Sequence, residues 1–249
     1  MEPVFRTLEI TAHLAVRATG TRITFRGEDN LPAVGGAVVA INHTGYVDWL
    51  PAALAASRRK RRMRFMIKAE MQDVRIIAWL IRHTGTIPVD RRAGSGAYAA
   101  AVQALRGGEL VGVYPEATIS RSFELKEFKS GAVRMAREAQ VPIVPLIVWG
   151  AHRMWTKDHP RALGRNKIPV TVAVGEPIRP DGGDAAGLDR ELRAKMTDLL
   201  HEAQKGYPRP SGAFWVPRRL GGGAPTPQEA RRLEEAELAE RARRRAENR

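Results

Sequence analysis

Short apolar runs alternate with stretches of helical spacing from residue 22 to residue 204. Residues 22–26 alternate polar and apolar side chains as a half-buried strand does, and residues 27–32 carry the glycine and proline of a turn. Residues 36–42 (GAVVAIN) are a compact apolar run, and residues 64–68, 86–89, 110–114, 143–149 and 168–174 read as further strands. Helical spacing predicts helices over 47–57, 73–83, 95–105, 131–139 and 187–204, with Pro51 tolerated in the first turn of its helix. Strands that alternate with helices predict an α/β fold, a layered mixed β-sheet flanked by helices. There is no internal repeat.

The two ends have a different character. Residues 4–18 place Val4, Phe5, Leu8, Ala12 and Ala15 at helical spacing, so residues 1–20 read as an amphipathic helix that either caps the core or lies on a membrane surface. The main α/β domain spans 21–206. From 207 onward a Pro/Gly-rich stretch resembles a linker, and a strongly charged helical tail closes the 207–249 segment. Leu233 and Leu238 are the large apolar side chains of that helix, so it is expected to stay solvated, pack weakly, or order only against a partner.

Composition narrows the chemistry. With 249 residues, 43% of them hydrophobic, the chain can build a core without covalent staples. It has no cysteine, which excludes disulfides, zinc–thiolate sites and cysteine nucleophiles. A formal net charge of +14 favours polyanionic partners: nucleic acid, an anionic membrane face, or phosphorylated substrates. No apolar run approaches the roughly 18 residues of a membrane span, and the early acidic residue and broken apolar run of the N-terminus do not fit a secretory signal.

The stretch NHTGYVDW sets His43 and Asp48 in an H-x4-D spacing where an apolar strand gives way to a helix. As a spacing alone it also fits a turn histidine followed by a helix N-cap. Its position adds weight, because strand carboxyl ends are where open α/β sheets place ligands. An imidazole held by a carboxylate can take the proton of a substrate hydroxyl as that hydroxyl attacks a thioester carbonyl. The nucleophile then belongs to the substrate, and no serine or cysteine is needed.

NHTGYVDW resembles the first signature of the glycerol-phosphate/lysophosphatidate acyltransferase family, of the bacterial 1-acyl-sn-glycerol-3-phosphate acyltransferase type. GTIPVDR (85–91) resembles its second block, VYPEATIS (113–120) its third and VPIVPL (141–146) its fourth, in the same order; FKSGA (128–132) matches the segment between the last two. The resemblance covers about residues 20–180 and implies a glycerol-3-phosphate acyltransferase-like fold, with the catalytic domain at 21–206. It implies His43 as general base with Asp48. It also implies Arg91 as the grip on the substrate phosphate, a task that suits a bidentate and permanently charged guanidinium. Glu116 is expected to bind a hydroxyl or pair with Arg91, and Thr118 to offer its hydroxyl to the substrate. Arg92 either adds field or faces solvent, and Lys68 either adds positive potential near the phosphate or ends a strand.

The implied reaction moves an acyl group from acyl-CoA or acyl carrier protein to 1-acyl-sn-glycerol 3-phosphate, giving phosphatidate in phospholipid biosynthesis. The thioester is a co-substrate, and no metal or organic cofactor is implied. Two departures stand out: Tyr114 replaces the usual phenylalanine, and Ala117 the usual glycine. Alanine there predicts a right-handed turn, and it keeps other acceptors open: glycerol 3-phosphate, a lyso-aminolipid or a glycolipid. Residues 141–146 read as core and floor of the site, their prolines suiting a strand entrance and a sheet edge.

The run SRRKRRMR (57–64) puts six cationic residues in seven positions and is expected to dock on anionic headgroups. It lacks the interleaved aromatics of a nucleic-acid reader, so nucleic acid is not an expected partner. A basic membrane- or nucleic-acid-binding protein without activity is the remaining alternative, and it leaves the four ordered blocks unexplained. The expected location is peripheral, on the cytoplasmic face of the cell membrane.

Overall fold

All residues of the 37–41 run are buried, as a strand covered on both faces requires. In the computed structural model, which describes residues 3–69, 73, 75–89, 95–181 and 183–247, this run is β2 (Ala37–Ile41). The other strands are β1 (Arg22–Arg26), β3 (Met63–Lys68), β4 (Ile87–Val89), β5 (Leu110–Val113), β6 (Ile143–Trp149) and β7 (Pro169–Val174). They form one sheet in the order β1-β7-β6-β2-β5-β3-β4. β2 to β6 run parallel, and the β7–β1 pair runs opposite to them at one side. The carboxyl ends of five strands therefore share one edge of the sheet.

The helices are α1 (Pro3–Thr19), α2 (Trp49–Arg58), α3 (Arg75–Thr84), α4 (Ser95–Arg106), α5 (Gly131–Ala139), α6 (Ala185–Gln204) and α7 (Pro227–Glu247). They cover both faces. Val38 and Ala40 pack with Leu105 of α4, Met135 of α5, and Leu188, Leu192 and Met196 of α6. Ala37, Val39 and Ile41 point the other way, onto Ala52 and Ala55 of α2. α1 lies outside α2 and α3. The expected α/β architecture, a layered mixed sheet between helices, is the one observed.

Several local expectations need correction. β6 is an interior strand, not an edge, yet it carries Pro145. Its antiparallel ladder with β7 ends at the Leu146–Val174 pair, so the missing N–H falls just past the last paired residue. The basic run sits where β3 begins, at the opposite edge of the sheet from the strand carboxyl ends, and much of it is engaged by the protein itself. Arg61 donates to the carbonyls of Pro32, Gly35 and Gly108. Arg58 pairs with Glu28 and Arg59 with Asp29, while the Arg62 guanidinium lies 4.6 Å from the centroid of the Phe5 ring. These side chains clamp the loops before β2 and β5.

The 207–226 stretch does not behave as a loose linker. Tyr207, Trp215, Val216 and Ala224 are buried in the α4–α6 side of the core. Its glycines permit this: a Cβ on Gly222 would lie 1.9 Å from the Val216 carbonyl oxygen. Glycine and proline here shape a tightly folded strap, which composition alone cannot distinguish from a flexible one. Replacing Trp215 by alanine should therefore cost about 3–5 kcal/mol in chemical denaturation, the usual loss for a buried large aromatic. A linker would show no change.

Candidate active site

β2 is followed by Asn42, a fully buried side chain that continues the sheet by other means. Its Nδ2 donates to the Val148 carbonyl (3.1 Å) and its Oδ1 accepts the Val148 N–H (2.7 Å), so both backbone groups of a β6 residue are satisfied. The chain then turns sharply through His43, Thr44 and Gly45. A Cβ on Gly45 would stand 2.8 Å from the Trp155 carbonyl oxygen and 2.9 Å from His152 Cα, so this position needs glycine. Tyr46 N–H donates to Trp155 O (3.0 Å) and Thr156 Oγ1 donates to Thr44 O (2.7 Å), which seat the turn on the loop after β6.

Asp48 precedes α2 and is fully buried, but its carboxylate does not cap that helix. It folds back into the turn instead. Oδ2 accepts the N–H groups of Thr44 and Gly45, each at 2.7 Å, and lies 3.4 Å from His43 Nδ1. Burial pushes the Asp48 carboxyl above its usual value, while His43 and the two backbone donors oppose that shift. A carboxylate at Nδ1 favours the tautomer with the proton on that nitrogen, which leaves Nε2 as the ring nitrogen able to accept one. The His43 side chain keeps 20% of its surface exposed, so the ring can be reached from outside.

Glu116 lies in the loop after β5, the strand beside β2, and is buried. Its Oε1 accepts the His43 N–H (2.7 Å) and its Oε2 the Lys126 N–H (3.0 Å). It therefore works on the backbone of His43 and on that of Lys126, two residues before the FKSGA segment, and not on a hydroxyl or an arginine among the described residues. His43 O in turn accepts the Ser120 N–H at 2.8 Å. The Tyr114 ring stacks on the imidazole with centroids 4.2 Å apart and planes at 27°. The tyrosine is thus more than a tolerated ring: it forms one wall of the histidine.

Ala117 has φ of +61°, against the expectation of a right-handed turn. Its N–H donates to Tyr114 O (2.9 Å) and closes the same tight turn that a glycine would make. The alanine accepts the left-handed conformation at about 1 kcal/mol, because the two-sided hydrogen bonding of Glu116 and His43 holds the loop there.

Thr118 follows, and its hydroxyl donates to Glu234 of α7 and accepts from Lys126 Nζ. Lys68 ends β3 beside Val89, at the same edge of the sheet as His43. Arg91 and Arg92 lie outside the described residues. The structure thus brings together His43, Asp48, Glu116 and Thr118. Sequence reasoning missed Tyr114 as a wall, Lys126 as the second donor to Glu116, and α7 as a neighbour. His152 lies behind the Gly45 turn, where burial pushes it down to about 3; it is neutral and structural.

Burial raises Glu116 to about 7, the two backbone donors and Lys126 acting against that shift. A carboxyl whose folded value exceeds its unfolded one holds a proton in the native state that the unfolded chain has lost. Between pH 4.5 and 7 its contribution to stability therefore declines as pH rises, by roughly 3 kcal/mol in all. Denaturation measured across this range should show that slope, and Glu116→Gln should flatten it. An unchanged slope in the variant would place the titration elsewhere.

Comparison with known proteins adds an independent line. A family model described as Acyltransferase matches residues 22–149. The 1-acyl-sn-glycerol-3-phosphate acyltransferase of Bacillus subtilis is 30% identical over 180 residues, covering 72% of this chain and 84% of that protein. The protein of the same name from Borreliella burgdorferi is 27% identical over 144 residues, 56% of each chain. The crystal structure of the 1-acyl-sn-glycerophosphate acyltransferase PlsC from Thermotoga maritima superposes with a TM-score of 0.71 at 22% identity, covering 83% of this chain and 82% of that one. This last likeness shows a shared fold.

Proposed function

The chain belongs to the acyltransferase family, and from that premise we propose that it transfers a fatty acyl group from a thioester to the free hydroxyl of 1-acyl-sn-glycerol 3-phosphate. The donor is acyl-CoA or acyl carrier protein, and the product, phosphatidate, feeds phospholipid biosynthesis. The observation that carries this reading is the His43–Asp48 contact at the carboxyl edge of the sheet, on a turn whose N–H groups are all held.

In this reaction His43 Nε2 takes the proton of the acceptor hydroxyl as its oxygen attacks the thioester carbonyl. Asp48 holds the Nδ1 proton and stabilises the imidazolium that forms. The tetrahedral intermediate collapses, the C–S bond breaks, and the imidazolium returns its proton to the departing thiolate. Arg91 grips the acceptor phosphate, with Lys68 and Arg92 adding positive field. The thioester supplies the activation, so no metal or organic cofactor enters.

With labelled acyl-CoA and lysophosphatidate, His43→Ala should lose at least about 10³-fold in kcat while keeping its melting behaviour. Asp48→Asn should lose a comparable factor, because the amide favours the wrong tautomer. A His43→Ala protein as active as the wild type would refute the mechanism. An acceptor panel that includes glycerol 3-phosphate, a lyso-aminolipid and a glycolipid decides which hydroxyl is used at Ala117.

A lipid acceptor requires contact with a bilayer, and no helix among the described residues is long and apolar enough to cross one. We place the contact at α1, where Ile10 and Leu14 stand 54% and 61% exposed, with Trp79 of α3 also exposed. The protein would then sit peripherally on the cytoplasmic face of the cell membrane. Anionic liposomes should co-sediment the wild type at low salt, and Ile10→Glu/Leu14→Glu should reduce the bound fraction several-fold. Equal binding by the variant would move the contact away from α1.

A further inference from the structure

α7 meets the rest of the molecule in an unusual way. Its large apolar side chains, Leu233 and Leu238, are 48% and 58% exposed. The half-buried positions among its described side chains are Ala230, Glu234 and Glu237, at the spacing of a single helical face. The face that docks is therefore acidic.

What it docks on is cationic and adjoins the active site. Lys126 Nζ donates to both oxygens of Glu234 (2.6 and 2.5 Å), and the Thr118 hydroxyl donates to one of them. Arg121 Nη2 reaches Glu237 at 2.8 Å and Lys157 Nζ reaches it at 3.1 Å. Burial pushes the Glu237 carboxyl up, but hydrogen bonds from Arg121 and Lys157 outweigh it and hold it at about 2. Only one residue separates this cluster from His43: the Lys126 N–H and the His43 N–H bind the same Glu116 carboxylate. A groove of about 620 Å³ runs between α7 and the body, lined by Tyr46, Arg121, Lys157, Leu233, Glu237 and Arg241 among others.

A hydroxyl, two ammonium groups and a guanidinium that converge on carboxylates form the donor set that binds a phosphate ester; Arg121 Nε is held by Asp158 of the body, so it is the Nη2 side, now on Glu237, that a phosphate would take. A phosphate offers more charge and more acceptor oxygens than either glutamate. A helix attached by ion pairs without apolar burial is also held weakly and is sensitive to competing anions.

We propose that Thr118, Arg121, Lys126 and Lys157 form a binding site for the phosphate group of a substrate, and that α7 is its tethered cover. Glu234 and Glu237 hold the site until a phosphate ester displaces them and opens the groove toward His43. This rests on the acyltransferase reading for the identity of the ligands: the phosphate belongs to the glycerol phosphate head of the acceptor or to the CoA of the donor.

Hydrogen–deuterium exchange of the α7 amides in the full chain tests the site without relying on turnover. At constant ionic strength, sn-glycerol 3-phosphate or CoA should speed α7 exchange several-fold, and whichever does so identifies the ligand. Arg121→Gln/Lys126→Met should abolish the response. In kinetics, Glu234→Gln/Glu237→Gln should lower KM for that substrate several-fold without lowering kcat. No change in exchange beyond that given by sodium chloride of equal ionic strength overturns the proposal, as does an unaltered KM for both substrates in the glutamine variant. Release of α7 by ligand in a protein that transfers no acyl group would instead refute the acyltransferase reading and leave the anion site standing.

Discussion

Two buried carboxyl groups, Asp48 and Glu116, need donors, and the turn that carries His43 supplies them to one oxygen of each. Asp48 takes the N–H groups of Thr44 and Gly45, and Glu116 takes that of His43 itself. A carboxylate left without donors in such a place would cost several kcal/mol, so each anion enforces one backbone path. That path sets the imidazole against Tyr114 and brings Nδ1 within reach of Asp48. Neither interaction is an ornament on a pre-existing loop. The loop has its shape because these buried carboxyl groups demand donors.

The sheet supplies the frame for this arrangement. β2 and β5 are paired neighbours and run parallel, so His43 and Glu116, each just past its own strand, arrive side by side. Asn42 extends the hold of β2 on β6 for one more residue, and Gly45 lets the loop after β6 press against the turn. Lys68 ends β3, the strand beyond β5, at the same edge. Under the proposed function, base and supporting carboxyl groups are consequences of one parallel sheet edge.

Much of this was legible in the sequence because it rests on local pattern. Strand positions follow from apolar runs that the sheet buries on both faces, and β1 and β6 occupy the predicted residues. His43 and Asp48 were readable because they are close in the chain. Glu116 was readable as a site residue through its block, but its partners were not, since backbone N–H groups carry no sequence signal. The φ of Ala117 was misjudged for a related reason: residue type predicts conformation only where long-range hydrogen bonds do not override it. The partners of the basic run and the burial of the 207–226 stretch were not legible, because composition reports charge and turn content without saying what they touch. Arg61 finds three carbonyls, and Trp215 finds the core.

The proposed chemistry turns on which nitrogen of His43 carries the proton. Nitrogen-15 NMR of the imidazole in mildly alkaline solution, assigned by comparison with His43→Ala, measures this directly. The Asp48 contact predicts the Nδ1–H tautomer in the wild type, giving way to Nε2–H in Asp48→Asn. A wild-type ring already protonated on Nε2 when neutral would contradict the role assigned to both residues.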